Sequence, residues 1–277
     1  FVQTKEYWDW IARTSVRSGQ PGVNGREYAT LVVPLPDIAT QNAVAEAVGD
    51  IDRFIRSLGH LIAKKQAIKQ GMMQQLLTGR TRLPGFASVW KEVALGSVAS
   101  ITMGQSPAGA TYNSDARGLP LIQGNADIRG RTTFDRIWTS APTKVCEAGD
   151  VLLTVRAPVG YTAVASKRSC LGRGVCAISA SHDNRCMFHA LVYAEPAWAL
   201  YEQGSTFTAV NSNEVRSFAI QWATDPEERR AIAQVLDDAD NELASLQARL
   251  AKALAIKTGM MQQLLTGRVR LPVEAAS

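Results

Sequence analysis

Long hydrophobic runs are missing from this sequence: nothing approaches the roughly 18 consecutive apolar residues of a membrane-spanning helix, so no membrane partner is expected. The opening Phe1-Val-Gln-Thr-Lys-Glu has neither the basic start nor the apolar centre of a secretory signal. It begins on Phe, not Met, and the chain is expected to be a fragment or a trimmed product. Cysteine is scarce. Cys146, Cys170, Cys176 and Cys186 contain no Cys-x-x-Cys and match no zinc spacing, so buried thiols in a reducing cytoplasm are expected. Histidine is scarcer: His60, His182 and His189 give no ligand pair on a helix face, and no metal site is read. A glycine-rich phosphate loop is absent, and Gly172-x-Gly174 alone carries no nucleotide signal. Neither an Asp/Asn-Pro-Pro-Tyr/Phe run nor a nucleophile with a base is found. No catalytic residue and no cofactor of its own are therefore expected, and a self-contained enzyme is the least favoured class. Charge is only mildly one-sided, at +5 with a pI near 9.1. Residues 85–210 hold eleven Lys/Arg against nine Asp/Glu, so any nucleic-acid contact must come from placed residues and not from a polybasic tail.

What is present is a long internal repeat. Lys69-Gln-Gly-Met-Met-Gln-Gln-Leu-Leu-Thr-Gly-Arg-Thr-Arg-Leu-Pro84 returns at Lys257–Pro272 with two changes in sixteen positions, at an offset of 188. A period this long excludes a solenoid array, whose repeats run about 20–50 residues. One large unit has been used twice, with a different segment between the copies.

Both copies read as helices. Val44, Val48, Ile51, Ile55, Leu58 and Ile62 follow 4-3-4-3-4 spacing, and Ile232, Leu236, Ala239, Leu243, Leu246 and Leu250 repeat it in register. Leu61 opposite Arg249 is an exception to the match. Such a heptad seam keeps one apolar stripe on a partner helix, and each helix is the other's expected partner. Asp37 and Asp225 stand at capping positions, Pro226 suits a first turn, Glu227 and Glu228 suit the N-terminal dipole, and Gly79 and Gly267 suit the C-terminal cap. Each helix would hold about 40 residues and span about 60 Å. Gly71 and Gly259 inside late turns point to a close contact between the two helix backbones. Near Lys65 and Lys69 the stripe is read to change phase onto Ile68, Met72 and Leu76. Met72, Met73, Leu76 and Leu77, with Met260, Met261, Leu264 and Leu265, then either pack on the chain's own globular domain or form a partner-docking surface. Asp237-Asp238 reads as a solvated face.

Between the helices the period falls to that of strands. Val151–Val155, Gly174–Ile178 and Phe218–Trp222 are β-type runs, with Leu121-Ile122 and Tyr161–Ala165 as further candidates. Tyr193 to Tyr201 suggests a short helix with Pro196 near its start. The fold class read is α+β: a globular domain at 83–224 flanked by two long helices, 37–82 and 225–277, forming an antiparallel coiled coil. Val23-Asn24 followed by Tyr28 to Leu35 parallels Val210-Asn211 followed by Val215 to Ala223. Residues 1–36 are thus expected to be the C-terminal remnant of a first, equivalent domain.

Several phrases of the middle segment add to this pattern. They are Met103-Gly-Gln-Ser-Pro107 with Tyr112-Asn113, the run Leu119 to Asp127, the run Gly149 to Gly160, Cys170-Leu-Gly-Arg-Gly174, and Gly204-Ser-Thr-Phe with Val210-Asn211. With the repeated helices, their order and spacing resemble the specificity subunit of a type I restriction–modification system, across nearly the whole chain. The resemblance departs in length, since that family normally carries two complete target-recognition domains. It implies that the globular domain reads a half-site of double-stranded DNA in the major groove and that the helices space two half-sites. It also implies docking of adenine methyltransferase subunits and a nuclease/translocase subunit, which would hold S-adenosylmethionine, ATP and Mg. Gln105, Ser106, Tyr112, Gln123, Asn125, Arg129, Arg131, Arg156 and Arg173 sit in turn-like phrases suited to base edges and phosphates. Arg156 or Arg173 could instead pair with Asp127 or Asp150, and Gly124 and Gly160 could simply shape turns. The competing reading is a non-enzymatic assembly scaffold whose DNA specificity is lost by truncation. Self-association through the helices would restore a symmetric reader.

Overall fold

The computed structural model describes residue 2 and residues 4–16, 19–33, 35–203 and 209–271, with backbone only for 199–203. The Gly204-Ser-Thr-Phe phrase and the tail beyond Leu271 lie outside the described residues. In chain order the elements are α1 (Lys5–Thr14), α2 (Gly25–Tyr28), α3 (Ile38–Leu76), β1 (Trp90–Ala94), α4 (Leu95–Val98), β2 (Ser100–Met103), β3 (Tyr112–Asn113) and β4 (Leu119–Ile122). There follow β5 (Ile128–Arg129), β6 (Thr132–Thr133), β7 (Trp138–Thr139), β8 (Val145–Cys146), β9 (Val151–Thr154), β10 (Thr162–Val164), β11 (Ser169–Leu171) and β12 (Val175–Ser179). The chain closes with α5 (Asn184–Gln203), α6 (Ser212–Ser217), β13 (Ala219–Ala223) and α7 (Pro226–Leu264). The class is α+β, as the periodicities require. Packing divides the chain into two compact units: Ala67–Asp240, and the residues up to Gln66 with those from Asn241 onward. Helices α3 and α7 contribute residues to both.

In the unit made of both chain ends, Leu58 and Ile62 of α3 pack on Leu243, Leu246 and Ala253 of α7, flanked by Ile51, Ile55 and Leu250. Burying each such aliphatic side chain is worth about 1.5–3 kcal/mol, so this seam, not helix propensity, holds the pair. The direction is antiparallel, because Asp52 pairs with Lys257 at 2.7 Å and Lys65 with Glu242 at 2.7 Å. Asp37 caps α3 by accepting the Thr40 N–H at 2.8 Å, and Asp225 caps α7 by accepting that of Glu227 at 2.9 Å. Both helices stop alike. Gly79 and Gly267 take a φ of 70°, and the N–H groups of Thr81 and Val269 return to the carbonyls of Gln75 and Gln263 at 3.2 Å. Positive φ at that cap is where glycine is required.

Two helix expectations are corrected. The seam does not shift onto Ile68, which is 44% exposed. Lys65 and Lys69 occupy seam positions and place their ammonium groups on Glu242 and Asp240 respectively. Gly71 and Gly259 make no close backbone contact, since a Cβ added to either would meet nothing within 4 Å.

The Ala67–Asp240 unit holds a six-stranded sheet in the order β2-β12-β9-β10-β6-β5, a five-stranded sheet in the order β3-β7-β4-β11-β8, and the antiparallel pair β1-β13. Its core packs Leu153 and Ile178 of the six-stranded sheet against Met187, Leu191 and Trp198 of α5, with Val215 and Phe218 beside them. Trp198 stacks on Phe218 with ring centroids 3.9 Å apart. Helix α5 starts well before Tyr193, and Pro196 lies inside it. The buried set Cys186, Met187, Ala190, Leu191 and Trp198 has helical spacing and outweighs the proline. Gly160 takes a φ of 85°, and a Cβ there would fall 2.3 Å from the Cβ of Trp198, so it serves packing as well as a turn.

Met73, Leu76 and Leu77 are buried against Ile232 and Leu236, with Met72, Leu83 and Trp90 packed around them. Burial removes these three from the candidate docking surface. Met260, Met261 and Leu264 are half-buried and Leu265 is exposed. In the segments before the long helices, α2 and α6 carry the same capping box, Asn24 with Glu27 and Asn211 with Glu214. Their sequels differ. Ile220 of β13 is paired with β1 and 6% exposed, whereas Val32 is 85% exposed.

One buried carboxylate joins three segments of this unit. Glu228, in the first turn of α7, is fully buried and accepts two hydrogen bonds from Arg82 at 2.6 Å, one from Ser88 at 2.6 Å and one from Trp90 Nε1 at 3.4 Å. Burial alone would raise its pKa, but these donors outweigh burial and hold the carboxyl below its ordinary value. Arg82→Ala, which strands that charge, is expected to cost about 3 kcal/mol in urea unfolding. The depressed pKa means that Glu228's contribution is present above the unfolded value near 4.5 and is lost as pH falls through the folded value. The acid limb of the stability curve is therefore expected to be shallower in Glu228→Gln than in the wild type.

Candidate nucleic-acid interface

Four turns meet at one end of the two larger sheets. They follow β2 (Gly104-Gln105-Ser106), β4 (Gln123-Gly124-Asn125), β9 (Val155-Arg156) and β11 (Gly172-Arg173-Gly174). Backbone bonds stitch them together. Gln105 donates to Leu171 at 2.9 Å, Gly172 to Ile122 at 2.7 Å, Val155 to Gly174 at 2.9 Å, and Gly104 to Val175 at 3.0 Å. The approach is too close for side chains: a Cβ on Gly104 would sit 2.1 Å from the Gly172 carbonyl oxygen, and one on Gly174 2.1 Å from that of Gln123. The buried Asp127 carboxylate fixes the β4 turn by accepting the Gln123 N–H at 2.7 Å and the Arg136 Nε–H at 2.8 Å. Thr143 Oγ1 holds the Gln105 carbonyl, and Ser106 Oγ accepts the Arg173 N–H at 3.3 Å.

These turns line a cleft of about 500 Å³ whose walls are Ser106, Tyr112, Gln123, Gly124, Asn125, Arg156, Ala157, Arg173 and Gly174. Six of the nine residues singled out in the sequence converge here. Gln105 stands beside the cleft, exposed, with its backbone in the network. The alternative pairing of Arg156 or Arg173 does not occur: Asp127 is taken by Arg136, and Asp150 accepts the Glu147 N–H at 2.8 Å. Among the described residues neither arginine forms a salt bridge, and no carboxylate lines the cleft. The cleft thus combines two uncommitted guanidinium groups, two side-chain amides, a phenol and a hydroxyl on turns that are fixed in advance.

Two of the candidate residues lie apart from the cleft. Arg131 is spent internally. Its guanidinium grips the Glu195 carboxylate with two hydrogen bonds, donates to the Thr162 carbonyl at 3.0 Å and lies over the Tyr161 ring. Its own φ of 64° follows from the tight β5–β6 turn. Arg129 lies outside the cleft, exposed, with its guanidinium 4.1 Å from the Phe134 ring centroid. Sequence reasoning missed Asp127 and Arg136 as the pair that sets the β4 turn. Asp127 was legible only as the end of a phrase and as a possible partner of Arg156 or Arg173.

Asp237 is not a solvated acid. It accepts bonds from Arg185 and from His189 Nε2 at 2.8 Å. His189, Asp237 and Asp240 bring ligand atoms within 4.8 Å of one another. Both carboxylates there already hold cations, Arg185 on Asp237 and Lys69 on Asp240, which leaves no net negative charge for a metal ion. The four cysteines are buried free thiols, and burial pushes Cys146, Cys176 and Cys186 up to about 12, far from reactive thiolates. Among the described residues no helix is long and apolar enough to cross a membrane.

The Ala67–Asp240 unit is a mixed α/β domain bearing an arginine- and amide-lined cleft. Residues 87–254 match the family described as the type I restriction modification DNA specificity domain, and the chain belongs to that family. A putative type I restriction enzyme MjaX specificity subunit from Methanocaldococcus jannaschii is 29% identical over 281 aligned residues, covering 96% of this chain. The chain spans 65% of that relative, just under two thirds of its length. The crystal structure of the HsdS subunit from Thermoanaerobacter tengcongensis is 30% identical, covers 94% of this chain and 68% of its own, and superimposes with a TM-score of 0.58. A chain from a structure of type I R-M complex assembly is also 30% identical, with coverages of 93% and 67% and a TM-score of 0.65. The type I S subunit from M. genitalium, 13% identical with a TM-score of 0.63, shares the fold.

Two predictions follow from this geometry. Gly174→Ala is expected to cost about 1–3 kcal/mol by forcing the β4 and β11 turns apart, measured by urea unfolding. Burial lowers the His189 pKa and Asp237 only partly restores it. The unfolded chain therefore takes up this proton first, and stability falls as pH drops below about 6.5. The Tm should decline between pH 7 and 5.5 in the wild type and decline less in His189→Leu.

Proposed function

We propose that this chain is a DNA sequence-recognition subunit of a type I restriction–modification complex. The cleft reads one half-site of double-stranded DNA in the major groove. The observation that carries this reading is the convergence of Arg156, Arg173, Gln123 and Asn125 on one rigid cleft with no lining carboxylate. Uncommitted guanidinium groups suit phosphates or guanine, and side-chain amides suit adenine. The chain carries no chemistry of its own in this reading. Partner methyltransferase subunits bind S-adenosylmethionine and modify adenine, and a nuclease/translocase subunit uses ATP and Mg. The exposed Val32, where Ile220 of the equivalent segment is covered, supports reading the first residues as part of a second recognition domain.

Adenine-methylation mapping in cells carrying the neighbouring methyltransferase, with and without this chain, tests the function. A defined motif that requires the chain is expected. A gapped palindrome would report paired copies, and an asymmetric gapped site a second reader. Methylation that is the same without the chain would overturn the reading and leave the scaffold alternative. At residue level, Arg156→Ala and Arg173→Ala should weaken binding to all sequences and each reduce the salt slope by about 1. Gln123→Ala and Asn125→Ala should instead relax preference at a single base by about 1–3 kcal/mol, read by fluorescence anisotropy on a panel of duplexes.

A further inference from the structure

One exposed turn of the globular domain is held more firmly than a surface loop requires. Between β3 and β4 the chain runs Ser114-Asp115-Ala116-Arg117-Gly118, all exposed, with no apolar side chain larger than alanine to bury. Asn113 fixes it. Its Oδ1 accepts the N–H groups of Asp115 at 3.2 Å and Arg117 at 3.0 Å, and its Nδ2 donates to the Arg117 carbonyl at 3.0 Å. Gly118, at a φ of 89°, closes the turn against β7, where a Cβ would fall 2.0 Å from the Thr139 carbonyl oxygen. Between them Ala116 takes a φ of 58°, a left-handed conformation that is costly for a residue with a Cβ. Strain kept on an exposed turn, with nothing apolar to bury, points to a role outside the fold.

The topology puts this turn beside the cleft. β3 and β4 both pair antiparallel with β7, and Tyr112 and Leu119 both lie opposite Thr139. They therefore run parallel to each other. The chain leaves β3 at the same end of the sheet at which β4 turns into Gln123-Gly124-Asn125. Tyr112, just before Asn113, lines the cleft, and its hydroxyl donates to the Pro107 carbonyl at 3.3 Å. Two strand spacings separate β3 from β4, about 10 Å, or roughly three base-pair rises. A side chain on this turn thus meets a different base pair from one met by Gln123 or Asn125. The turn carries two long polar side chains. Arg117 and Asp115 are 73% and 66% exposed and pair at 3.3 Å. An exposed ion pair is worth little to stability. A carboxylate beside a DNA cleft also repels phosphates, and it costs affinity unless it meets a hydrogen-bond donor. In the major groove a G·C pair shows guanine N7 and O6 as acceptors and then the cytosine N4 amino group as donor. A guanidinium fork with a carboxylate at its side complements that edge. An A·T pair shows acceptor, donor, acceptor, which this pair of side chains does not match.

We propose that the Asp115–Arg117 turn is a second reading element, which specifies a G·C pair next to the bases met at the cleft. Arg117 donates to guanine O6 and N7, and Asp115 accepts from cytosine N4. This rests on the reading of the chain as a DNA sequence-recognition subunit and adds two specificity-determining residues to it. Asn113 holds the backbone before DNA arrives, and the ion pair already sets the guanidinium beside the carboxylate, so little order is lost on binding. Opposite any pair without a donor at that place, Asp115 is left facing the negative charge of the DNA. The wrong base is therefore rejected by repulsion as well as by the lost contact.

The test is adenine-methylation mapping with the full chain and its neighbouring methyltransferase, comparing wild type, Arg117→Ala and Asp115→Ala. Anisotropy then follows on duplexes of the mapped motif with each base pair replaced in turn. The wild-type motif is expected to contain a G·C pair that neither variant requires, with its other positions retained. Replacing that pair by A·T should weaken wild-type binding by about 5–150-fold and leave Arg117→Ala binding nearly the same. The backbone N–H bonds to Asn113 survive both substitutions, so the Tm should hold, which separates lost reading from lost folding. An Arg117→Ala loss that is uniform over all duplexes, with the salt slope reduced by about 1, would mean a phosphate contact and overturn the proposal. A motif unchanged in both variants would overturn it too. In either case the recognition function stands. A wild-type chain that directs no motif would overturn both.

Discussion

Glu228 is a fully buried carboxylate, and three segments of the Ala67–Asp240 unit are arranged around it. An isolated buried charge is costly, so its donors must be held in place, and they come from segments far apart in the sequence. Arg82 follows the first long helix, Ser88 and Trp90 open the globular domain, and Glu228 starts the second helix. The clamp therefore ties the entry and exit of the recognition domain to a single point. Trp90 serves it twice: its indole N–H reaches Glu228, and its ring covers Gly79, where a Cβ would lie 2.8 Å from the ring. The left-handed cap of the first helix and the buried charge thus explain each other.

The same economy governs the cleft. Its side chains are ordinary polar residues, and their placement comes from backbone that packs against backbone. Gly104, Gly172 and Gly174 let the turns after β2, β4 and β11 touch, Asp127 with Arg136 fixes the β4 turn, and the Val155 N–H joins the β9 turn to Gly174. A site built this way has little to reorganise when a ligand arrives, which lowers the entropic cost of binding. The side chains that project from it can change without disturbing the turns beneath.

The helices were legible because period, caps and stop glycines all point the same way in both copies. The convergence of Ser106, Tyr112, Gln123, Asn125, Arg156 and Arg173 was legible as phrases, though nothing in their spacing states that four turns meet. Other features were hidden for physical reasons. Arg131 looks like a free cation until a long-range partner appears, and Glu195 is 64 positions away. Lys65 and Lys69 look like a break in the apolar pattern until Glu242 and Asp240 appear opposite them. Gly71 and Gly259 suggested a contact inside the chain, and the space above them is empty.

Two ion pairs on the long helices are one pair seen twice. Asp52 with Lys257, and Lys69 with Asp240, exchange places when 188 is added to the α3 member and subtracted from the α7 member. Antiparallel partners that share a sequence read the same from either end. A domain inserted between such helices enters and leaves through equivalent doorways, each marked by the same capped terminus. Modularity then becomes a property of the frame: any domain whose two ends fit one doorway fits the other, and recognition surfaces can be exchanged as cassettes while the scaffold remains unchanged.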